Sequence, residues 1–338
     1  MSAPSLLYTT AMQDISDWQV QRIGIMHALA RPELAALLAG ATDYQLQQHF
    51  REHALELEKS GFATSTELQG MFDLILINPS KNRQQTLGWI AKALSLLHAD
   101  GRIMLCVANL HGAKGLESHV REITDNLSSF SKAKCRCMSF RAASVNNPEL
   151  VDQWHQNALI NLVSGLGLYS QPGLFSWDTP DKGSELLLQF IPASLTGTGM
   201  DLCCGNGFLA HAIAHRSPDI AHLHLVDHDQ LALACAESNL AGSDVPHSFH
   251  WLDATNESLP QSLDWLVCNP PFHQHQQQSI ELGQAIIQRA CASLRRGGHL
   301  WIVANRKLPY EHLLAEKLEG VEILSQQQGY KILHGVRA

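Results

Sequence analysis

The most informative segment of the 338-residue chain is Asp264-Trp265-Leu266-Val267-Cys268-Asn269-Pro270-Pro271-Phe272. Its first part is a short apolar run that predicts a buried strand, and its second part predicts a stiff turn at the end of that strand. Each proline fixes φ and removes an N–H, and the residue before a proline is pushed to an extended backbone. The Asn269 and Pro270 oxygens are therefore expected to face outward as acceptors beside an aromatic ring. Such a turn suits a planar group that carries an NH2, and an ordinary loop is the alternative for these residues alone.

The composition indicates a folded protein of two domains. A chain of 338 residues is long for a single core, and 45% hydrophobic with 17% charged residues argues against disorder. The sequence has no run of about 18 uncharged apolar residues, and Met1–Tyr8 has no basic start, so we expect neither a membrane span nor a secretory signal. The eight cysteines form no Cys-x-x-Cys pattern, which favours reduced thiols in a cytoplasmic protein.

The net charge of −8 is distributed unevenly along the chain. Residues 1–150 contain 14 Lys/Arg and 14 Asp/Glu, whereas residues 151–338 contain 10 and 18, so the two halves carry 0 and −8. Four basic residues of the first half have no acid between them, namely Lys132, Lys134, Arg136 and Arg141. They predict either a solvated basic face or a surface that contacts phosphate groups, so the acidic total does not exclude a nucleic-acid partner.

The two halves of the chain share an internal repeat. Asp73 precedes Asn78-Pro79 by the same spacing that separates Asp264 from Asn269-Pro270. In both places a helix pattern follows, at about 84–97 and 279–294, and then a strand pattern that ends in Val-Ala-Asn. The repeat favours two duplicated α/β domains, with convergence of two strand-helix-strand units as the alternative. The first copy lacks the second proline, the aromatic residue and a glycine loop, so we expect it to have lost its ligand site.

The remaining patterns predict the architecture. Residues 20–70 carry helix formers and are predicted as helices with short breaks, chiefly at 33–38 and 44–59, and residues 142–170 are predicted as a boundary. The second half alternates strand patterns at 200–203, 222–226, 248–252, 264–268 and 300–303 with helix patterns, which indicates a parallel, doubly wound sheet. Residues 321–336 have a hairpin pattern, which predicts an antiparallel pair at one sheet edge.

A glycine loop follows the first strand of the second half. It reads Asp201-Leu202-Cys203-Cys204-Gly205-Asn206-Gly207, and its two glycines allow the backbone to approach a ligand at a helix N-terminus. Asp227 ends the next strand, where an acid binds ribose hydroxyls in nucleotide-binding sheets. Asp253 follows the third strand and Asn269 the fourth, so we expect these polar features along one crevice at the carboxyl ends of the strands.

Other ligand classes fit these residues less well. Cys203 interrupts the dinucleotide fingerprint, no basic residue is placed for a pyrophosphate, and no Gly-Lys-Ser/Thr sequence of a P-loop occurs. The histidine pairs 211/215 and 222/224 have no carboxylate at ligand spacing, and the cysteines form no cluster with histidine. We therefore predict no metal site.

These residues resemble the class I S-adenosylmethionine-dependent methyltransferases and, more narrowly, the bacterial ribosomal RNA guanine-N2 methyltransferases of the small and large subunits. The resemblance is strong over 170–338 and weaker over 1–150, where it rests mainly on residues 79–82 and the following strand. The motifs that carry it in the second half are Pro172–Ser176, Asp181-x-Gly183-Ser184, Asp201–Gly207, Asn269–His273 and Val303–Asn305. The resemblance implies an α/β fold of two tandem duplicated Rossmann-like domains, in which the C-terminal sheet has seven mostly parallel strands and an antiparallel edge hairpin. It implies a degenerate first domain (1–145) that positions substrate without a cofactor site, and a catalytic second domain (165–338).

The resemblance also implies residue roles. S-adenosylmethionine is the expected cofactor, with Asp227 on its ribose, Asp253 on its adenine amine and the remaining contacts from Asp201, Gly205, Asn206, Gly207 and Asn269. Asn269 and the Pro270 carbonyl would accept hydrogen bonds from N2 of a flipped guanine, and Phe272 would stack on its ring. Ribosomal RNA or an assembled ribosomal subunit is the expected partner of a monomeric, cytoplasmic protein with no membrane contact.

The chain departs from this family at two positions, and alternatives stay open. Cys203 stands where the family usually has glycine, and Trp177 stands where it has the arginine of Phe-Ser-Arg. The chain length favours the small-subunit (16S) enzyme, whereas Phe272-His273-Gln274 and Asn305-Arg306 are more similar to the large-subunit (23S) type. An amino methyltransferase for adenine N6 or a protein glutamine, and a non-catalytic RNA-binding protein, are the other readings.

Overall fold

A computed structural model describes residues 1–15, 17–271 and 277–338 of the chain. The chain forms two compact units. The N-terminal unit comprises Met1–Leu159 and Gln171–Gly173, and the C-terminal unit comprises Ile160–Ser170 and Leu174–Ala338. The sequence placed the end of the first domain at residue 145. The structure extends the first unit beyond that point because a helix at 148–158 packs against the helix at 83–95 of the same unit.

The N-terminal unit is a mixed sheet with helices on its faces. Its helices are α1 (Ala3–Asp14), α2 (Pro32–Leu38), α3 (Arg51–Lys59), α4 (Arg83–Ser95), α5 (Ala113–Arg121) and α6 (Pro148–Ala158). Its strands are β1 (Arg22–Met26), β2 (Asp43–Leu46), β3 (Phe72–Ile77), β4 (Leu97–Ala108), β5 (Ser128–Lys132) and β6 (Cys135–Arg141). They lie in the order β2-β1-β3-β4-β6-β5, with the first four parallel and β6 antiparallel to both neighbours.

The prediction that residues 20–70 are helical is wrong at two places. Strand β1 lies in this segment with Ile23 and Ile25 fully buried, and β2 replaces the predicted start of a helix at Tyr44. Pairing with β1 fixes β2 in extended form, and β1 itself is paired on both sides, so tertiary contacts override the local preference. Helix α3 consequently begins only at Arg51.

In its described residues, the C-terminal unit contains a short antiparallel pair, a large sheet and five helices. The strands are β7 (Asn161–Val163), β8 (Leu168–Ser170), β9 (Gly197–Leu202), β10 (Ile220–Asp227), β11 (His247–Trp251), β12 (Leu263–Cys268), β13 (Leu294–Asn305), β14 (Leu318–Gln327) and β15 (Tyr330–Arg337). The helices are α7 (Lys182–Leu188), α8 (Phe208–Arg216), α9 (Gln230–Leu240), α10 (Gln277–Ser293) and α11 (Tyr310–Ala315).

The large sheet has seven strands in the order β11-β10-β9-β12-β13-β15-β14. Its first five strands are parallel, and β15 pairs antiparallel with both β13 and β14. The interior strands are apolar on both faces because helices cover each side; in β12, Trp265 and Val267 point into one core and Leu266 and Cys268 into the other. The predicted fold class, a mostly parallel sheet with an antiparallel edge hairpin, is confirmed.

The two sheets share one topology. The N-terminal order is β2-β1-β3-β4-β6-β5. These six strands correspond, in that order, to β10-β9-β12-β13-β15-β14 of the C-terminal sheet, which has β11 as an additional strand at its edge. Among the described residues, the place of β11 holds a single parallel bridge, between Gln47 and Ser65. Asp73 and Asp264 also correspond, since each accepts backbone N–H groups from the start of the neighbouring strand. This agreement, strand for strand, favours duplication over convergence.

Two further features concern the whole chain. No helix in the described parts combines the length and apolar character that crossing a membrane requires. All eight cysteines are free thiols; seven are buried, and Cys203 is half-buried.

Candidate active site

The sheet brings the polar features of the sequence to one edge. Strands β10, β9 and β12 are adjacent and parallel, and their register places Val226 and Cys268 on either side of Leu202. The Asp201–Gly207 loop, Asp227 and Asn269 therefore lie together at the carboxyl ends of these strands. Asp253 follows β11, which pairs with β10, so it lies at the same edge. Ligands of open α/β sheets bind at this edge.

The glycine loop makes a tight connection from β9 to α8. The Cys204 N–H donates to the Val226 carbonyl (3.1 Å), and the Gly207 N–H donates to the Cys204 carbonyl (2.9 Å). Gly205 and Gly207 both have positive φ, and a Cβ on Gly207 would lie 3.0 Å from the Ala236 side chain, whereas one on Gly205 would meet open space. Gly207 is thus needed for packing on α9, and Gly205 leaves the backbone exposed toward the crevice.

Asp201 lies at the base of this loop and is fully buried. Its Oδ2 accepts the Ala210 N–H at 3.0 Å, and its Oδ1 has no hydrogen-bond donor among the described residues. Burial, opposed by the Ala210 hydrogen bond and assisted by the neighbouring carboxylate of Asp227, raises the pKa of Asp201 to about 7. A buried carboxylate oxygen without a donor is costly. It is a site at which a cationic or N–H group of a ligand would be stabilised.

Two more carboxylates are held by hydrogen bonds from nearby loops. Asp227 is buried, accepting the Gly205 N–H on Oδ2 (2.8 Å) and the Asp229 N–H on Oδ1 (2.9 Å). Asp253 accepts hydrogen bonds from the Thr255 N–H and hydroxyl and from the Asn256 amide. Burial raises the pKa of Asp253, but these hydrogen bonds outweigh burial and hold the pKa below its usual value. It is therefore an ionised acceptor at neutral pH.

Asn269 has a fixed amide orientation. Its Nδ2 donates to Asp181 Oδ2 and to Ser184 Oγ, both at 2.9 Å. A carboxylate only accepts hydrogen bonds, so the amide atom that faces Asp181 must be the NH2. Its oxygen is consequently directed away from Asp181. The same Asp181 oxygen caps α7 by accepting the Ser184 N–H at 2.8 Å.

The sequence-predicted site is brought together only in part. The structure collects Asp201, Asn206, Asp227, Asp253 and Asn269 at one edge, and Pro270 is buried beside Asn269. Phe272 and His273 lie outside the described residues. Trp177, where the family has arginine, packs with Leu174 against α9.

Sequence reasoning missed two side chains that hold the site. Ser184 was matched only as part of a motif, and its contact with Asn269 becomes visible only when α7 and β12 meet. Asn239 on α9 accepts the Tyr169 N–H of β8 on its Oδ1 and donates from its Nδ2 to the Tyr169 carbonyl. The same Nδ2 also donates to the Asn206 carbonyl at 2.9 Å. It therefore ties the β7–β8 pair to the glycine loop. No local pattern around Asn239 signals this contact.

The equivalent crevice of the N-terminal unit is filled by its own side chains. By register, Ile25 corresponds to Asp201, and Gln48 to Asp227. Gln48 is fully buried and donates to the Ala28 carbonyl at 2.7 Å. The buried Tyr8 hydroxyl accepts from the Leu29 N–H and from Asn78 Nδ2, both at 3.0 Å.

Aromatic rings pack at the same edge of that unit. His27 lies 5.4 Å from Trp89 and 5.3 Å from His49, measured between ring centroids. Burial lowers the pKa of His27 to about 4, so it is uncharged at neutral pH. The polar groups at this edge of the N-terminal unit are thus bonded within the protein, and rings pack beside them.

Comparison with known proteins identifies the family. Residues 165–334, which is half of the chain, match the model of the methyltransferase small domain. The chain belongs to this family. The match covers the large sheet up to residue 334, inside β15, and it includes Asp181, Asp201, Asp227, Asp253 and Asn269.

Similar proteins extend the likeness beyond this domain. The chain is 29% identical over 276 residues to ribosomal RNA small subunit methyltransferase C of Psychromonas ingrahamii, covering 80% of this chain and 78% of the relative. The protein of that name from Pectobacterium atrosepticum is 28% identical over 305 residues, covering 90% and 85%. A solved structure of the T. thermophilus 16S rRNA N2 G1207 methyltransferase (RsmC) with AdoMet and guanosine superposes with a TM-score of 0.77 at 21% identity, covering 98% of this chain and 92% of that one. Both units therefore share the fold of that protein.

Proposed function

We propose that this protein transfers a methyl group from S-adenosylmethionine to the exocyclic N2 of a guanine in small-subunit ribosomal RNA. The observation that carries the proposal is the amide of Asn269, oriented by Asp181 and Ser184 beside the glycine loop. Membership of the methyltransferase small-domain family supports the reaction type. The relatives that bear the small-subunit name, and the guanosine in the solved structure, support the choice of RNA and base.

The residues at the edge of the sheet fit S-adenosylmethionine. Asp227 would bind the ribose hydroxyls, Asp253 the adenine amine, and the exposed backbone at Gly205 the methionine part. The buried Oδ1 of Asp201, which has no donor among the described residues, suits a molecule with a positive charge. The bound cofactor supplies an electrophilic methyl group on its sulfonium.

Asn269 would act by positioning rather than by removing a proton. With its NH2 committed to Asp181 and Ser184, its oxygen accepts one N–H of the guanine amine, and the Pro270 carbonyl accepts the other. These two bonds fix the direction of the nitrogen lone pair. Holding reacting groups in line supplies a large part of many enzymatic rate enhancements. Flipping the guanine out of its stack is needed to bring N2 to the turn.

The N-terminal unit is assigned a substrate-positioning role without a cofactor. The neutral Gln48 at the place of Asp227, and the Tyr8 hydroxyl against the Leu29 backbone, support this assignment. We propose that the two domains coincide with the two compact units. The catalytic domain is the C-terminal unit, which contains nearly all of the family match at 165–334. We place the protein in the cytoplasm, with the ribosomal RNA or its subunit, as a monomer.

The proposal predicts the effect of Asn269→Ala. This variant should lose at least about 100-fold in methyl transfer to small-subunit ribosomal RNA, because the amine is no longer oriented. Its affinity for S-adenosylmethionine, measured by calorimetry, should fall far less than methyl transfer does, because the other expected cofactor contacts remain. Nucleoside mass analysis after digestion identifies the product as N2-methylguanosine.

Asn78→Ala is the matched control, because it changes the corresponding asparagine of the other unit. It should lower the melting temperature, since Asn78 is buried and bonded to Tyr8, but should preserve methyl transfer below that temperature. Methylation at adenine N6, on a glutamine, or only on large-subunit RNA would contradict the proposed substrate. Undiminished transfer by Asn269→Ala would contradict the proposed site.

A further inference from the structure

A polar cleft of about 310 Å³ lies on the N-terminal unit, at the end of β4 opposite the carboxyl edge of the parallel strands. Its lining residues are mostly basic or hydroxyl-bearing: Arg102, Asn126, Ser128, Ser139, Phe140, Arg141 and Ser144. It is separate from the crevice of either unit. None of the roles proposed above uses it.

Two arginines face each other across this cleft. Arg102 on β4 and Arg141 on β6 are direct partners in an antiparallel pair. Like charges placed opposite each other on adjacent strands destabilise a sheet. Burial lowers the pKa of Arg102, and the Arg141 charge lowers it further, while Asp14 opposes this effect.

Asp14 attracts the Arg102 guanidinium without forming an ion pair, and neither arginine is neutralised by a direct partner in the parts of the chain that the structure describes. Among the described residues, no ion pair or side-chain hydrogen bond involves either group, and Arg102 packs over the Trp18 ring at 4.3 Å. Arg136 of the same strand, in contrast, is paired with Glu117. The arginine pair is therefore an arrangement that costs stability and has unused hydrogen-bond donors.

The duplicated fold does not require these arginines. In the C-terminal sheet, Arg102 corresponds to His299 and Arg141 to Val336, which are direct partners in β13 and β15. A histidine and a valine therefore complete the same strand pair in the catalytic unit. The charge at this place is a property of the N-terminal copy alone.

Strand β5 extends the cleft with alternating side chains. Ser128, Phe130 and Lys132 lie on one face because alternate residues of a strand share a face, and Phe130 is 42% exposed. Lys132 and Lys134 are exposed at the hairpin end of this strand. Proteins bind single-stranded nucleic acid with this combination of an anion-binding site, an exposed aromatic ring and further basic side chains.

We propose that Arg102 and Arg141 together bind a backbone phosphate of the RNA substrate. Guanidinium groups bind phosphate through paired N–H donors, and the three serine hydroxyls of the cleft offer additional donors. The phosphate removes the repulsion between the arginines. The inference rests on the proposed function for the identity of the RNA, and it adds the residues by which the N-terminal unit holds it.

The test compares the double variant Arg102→Gln/Arg141→Gln with the wild type in the full-length protein. Affinity for a small-subunit ribosomal RNA fragment, measured by fluorescence anisotropy over a range of salt concentrations, should fall at least about tenfold at low salt. The magnitude of the slope of log K against log salt should decrease by about 0.7 to 0.9, since one phosphate contact is lost. The melting temperature should stay equal or rise, because a like-charge pair is removed.

Arg296→Gln is the control, since Arg296 is an exposed arginine of the C-terminal unit, and it should leave the salt slope nearly unchanged. An unaltered slope and affinity in the double variant would overturn the inference. A second result would also overturn it. If inorganic phosphate raises the melting temperature of the wild type but not of the double variant, while RNA binding is unchanged, the cleft binds free anions and not RNA.

The two proposals fail in different ways. If the RNA affinity depends on the arginines but no guanine is methylated, only the proposed function is wrong. If guanine N2 is methylated and the double variant binds RNA normally, only the phosphate site is wrong.

Discussion

At the scale of single residues, the site depends on one carboxylate oxygen with two tasks. Asp181 Oδ2 accepts both the Asn269 Nδ2 (2.9 Å) and the Ser184 N–H (2.8 Å). The first bond sets which way the Asn269 amide faces, and the second begins helix α7. A residue remote in sequence thus determines the acceptor that the turn offers. The sequence singled out Asp181 as part of the motif Asp181-x-Gly183-Ser184, and it contained no signal for the bond to Asn269.

Asp181→Ala should reduce kcat for methyl transfer by about 10- to 100-fold, because Asn269 loses the partner that fixes its amide. Asp181→Asn should restore most of the activity, since its amide oxygen can accept both hydrogen bonds and asparagine caps helices well. Steady-state kinetics with separate kcat and KM values check this, and KM for S-adenosylmethionine should stay nearly constant.

A purely structural role for Asp181 would give a different pattern. Glu185→Ala removes an acid from the first turn of the same helix and should leave kcat within about twofold, because Glu185 is exposed. Equal losses in the Asp181→Ala and Glu185→Ala variants would show that helix stability, rather than amide orientation, is limiting.

At the scale of secondary-structure elements, the strands with two buried faces were predictable and the short edge strands were not. β12 reads as a continuous apolar run because helices cover both of its sides. β2 has four residues, of which two are exposed, and only its pairing with β1 makes it a strand. The predicted limits of β10 and β12 agree with the structure to within two residues, since apolar patterning and turn residues coincide there.

The β5–β6 hairpin shows an element formed against local preference. Its two turn residues, Ala133 and Lys134, both have positive φ (50° and 59°), which is the geometry of a type I′ turn. Asparagine and glycine adopt this conformation easily, whereas alanine and lysine pay for it with strain. The turn is maintained because β6 is buried between β4 and β5.

Replacing the turn by Asn-Gly should stabilise the N-terminal unit. Ala133→Asn with Lys134→Gly is expected to raise the free energy of unfolding by about 1 kcal/mol, because both residues are exposed and only the backbone strain changes. Denaturant unfolding followed by circular dichroism measures this. Lys134→Gln alone separates the loss of charge from the relief of strain and should have almost no effect. An equal increase in the free energy of unfolding in both variants would mean that charge repulsion, and not backbone strain, limits the stability of the hairpin.

At the scale of the whole molecule, two copies of one topology have been put to different use. The sequence indicated that the first copy lost its site, because it lacks the glycine loop and the second proline. It did not indicate how the space was closed. Gln48 and Tyr8 belong to elements distant in sequence, and their bonds to Ala28 and Leu29 follow from packing alone. The Gln47–Ser65 bridge, which stands in the place of β11 among the described residues, also depends on tertiary contacts.

The difference between the copies predicts a stoichiometry of one S-adenosylmethionine per chain. Isothermal titration calorimetry should fit a single site, and Asp227→Ala should weaken that site at least about tenfold by removing the carboxylate assigned to the ribose hydroxyls. Gln48→Ala changes the corresponding position of the N-terminal unit and should leave both stoichiometry and affinity unaltered, because its amide already bonds to the Ala28 carbonyl. A second binding event that survives in Asp227→Ala would show that the N-terminal crevice admits the cofactor. The Gln48 and Tyr8 contacts would then be displaced on binding, and the two units would be two working copies rather than one catalytic and one positioning copy.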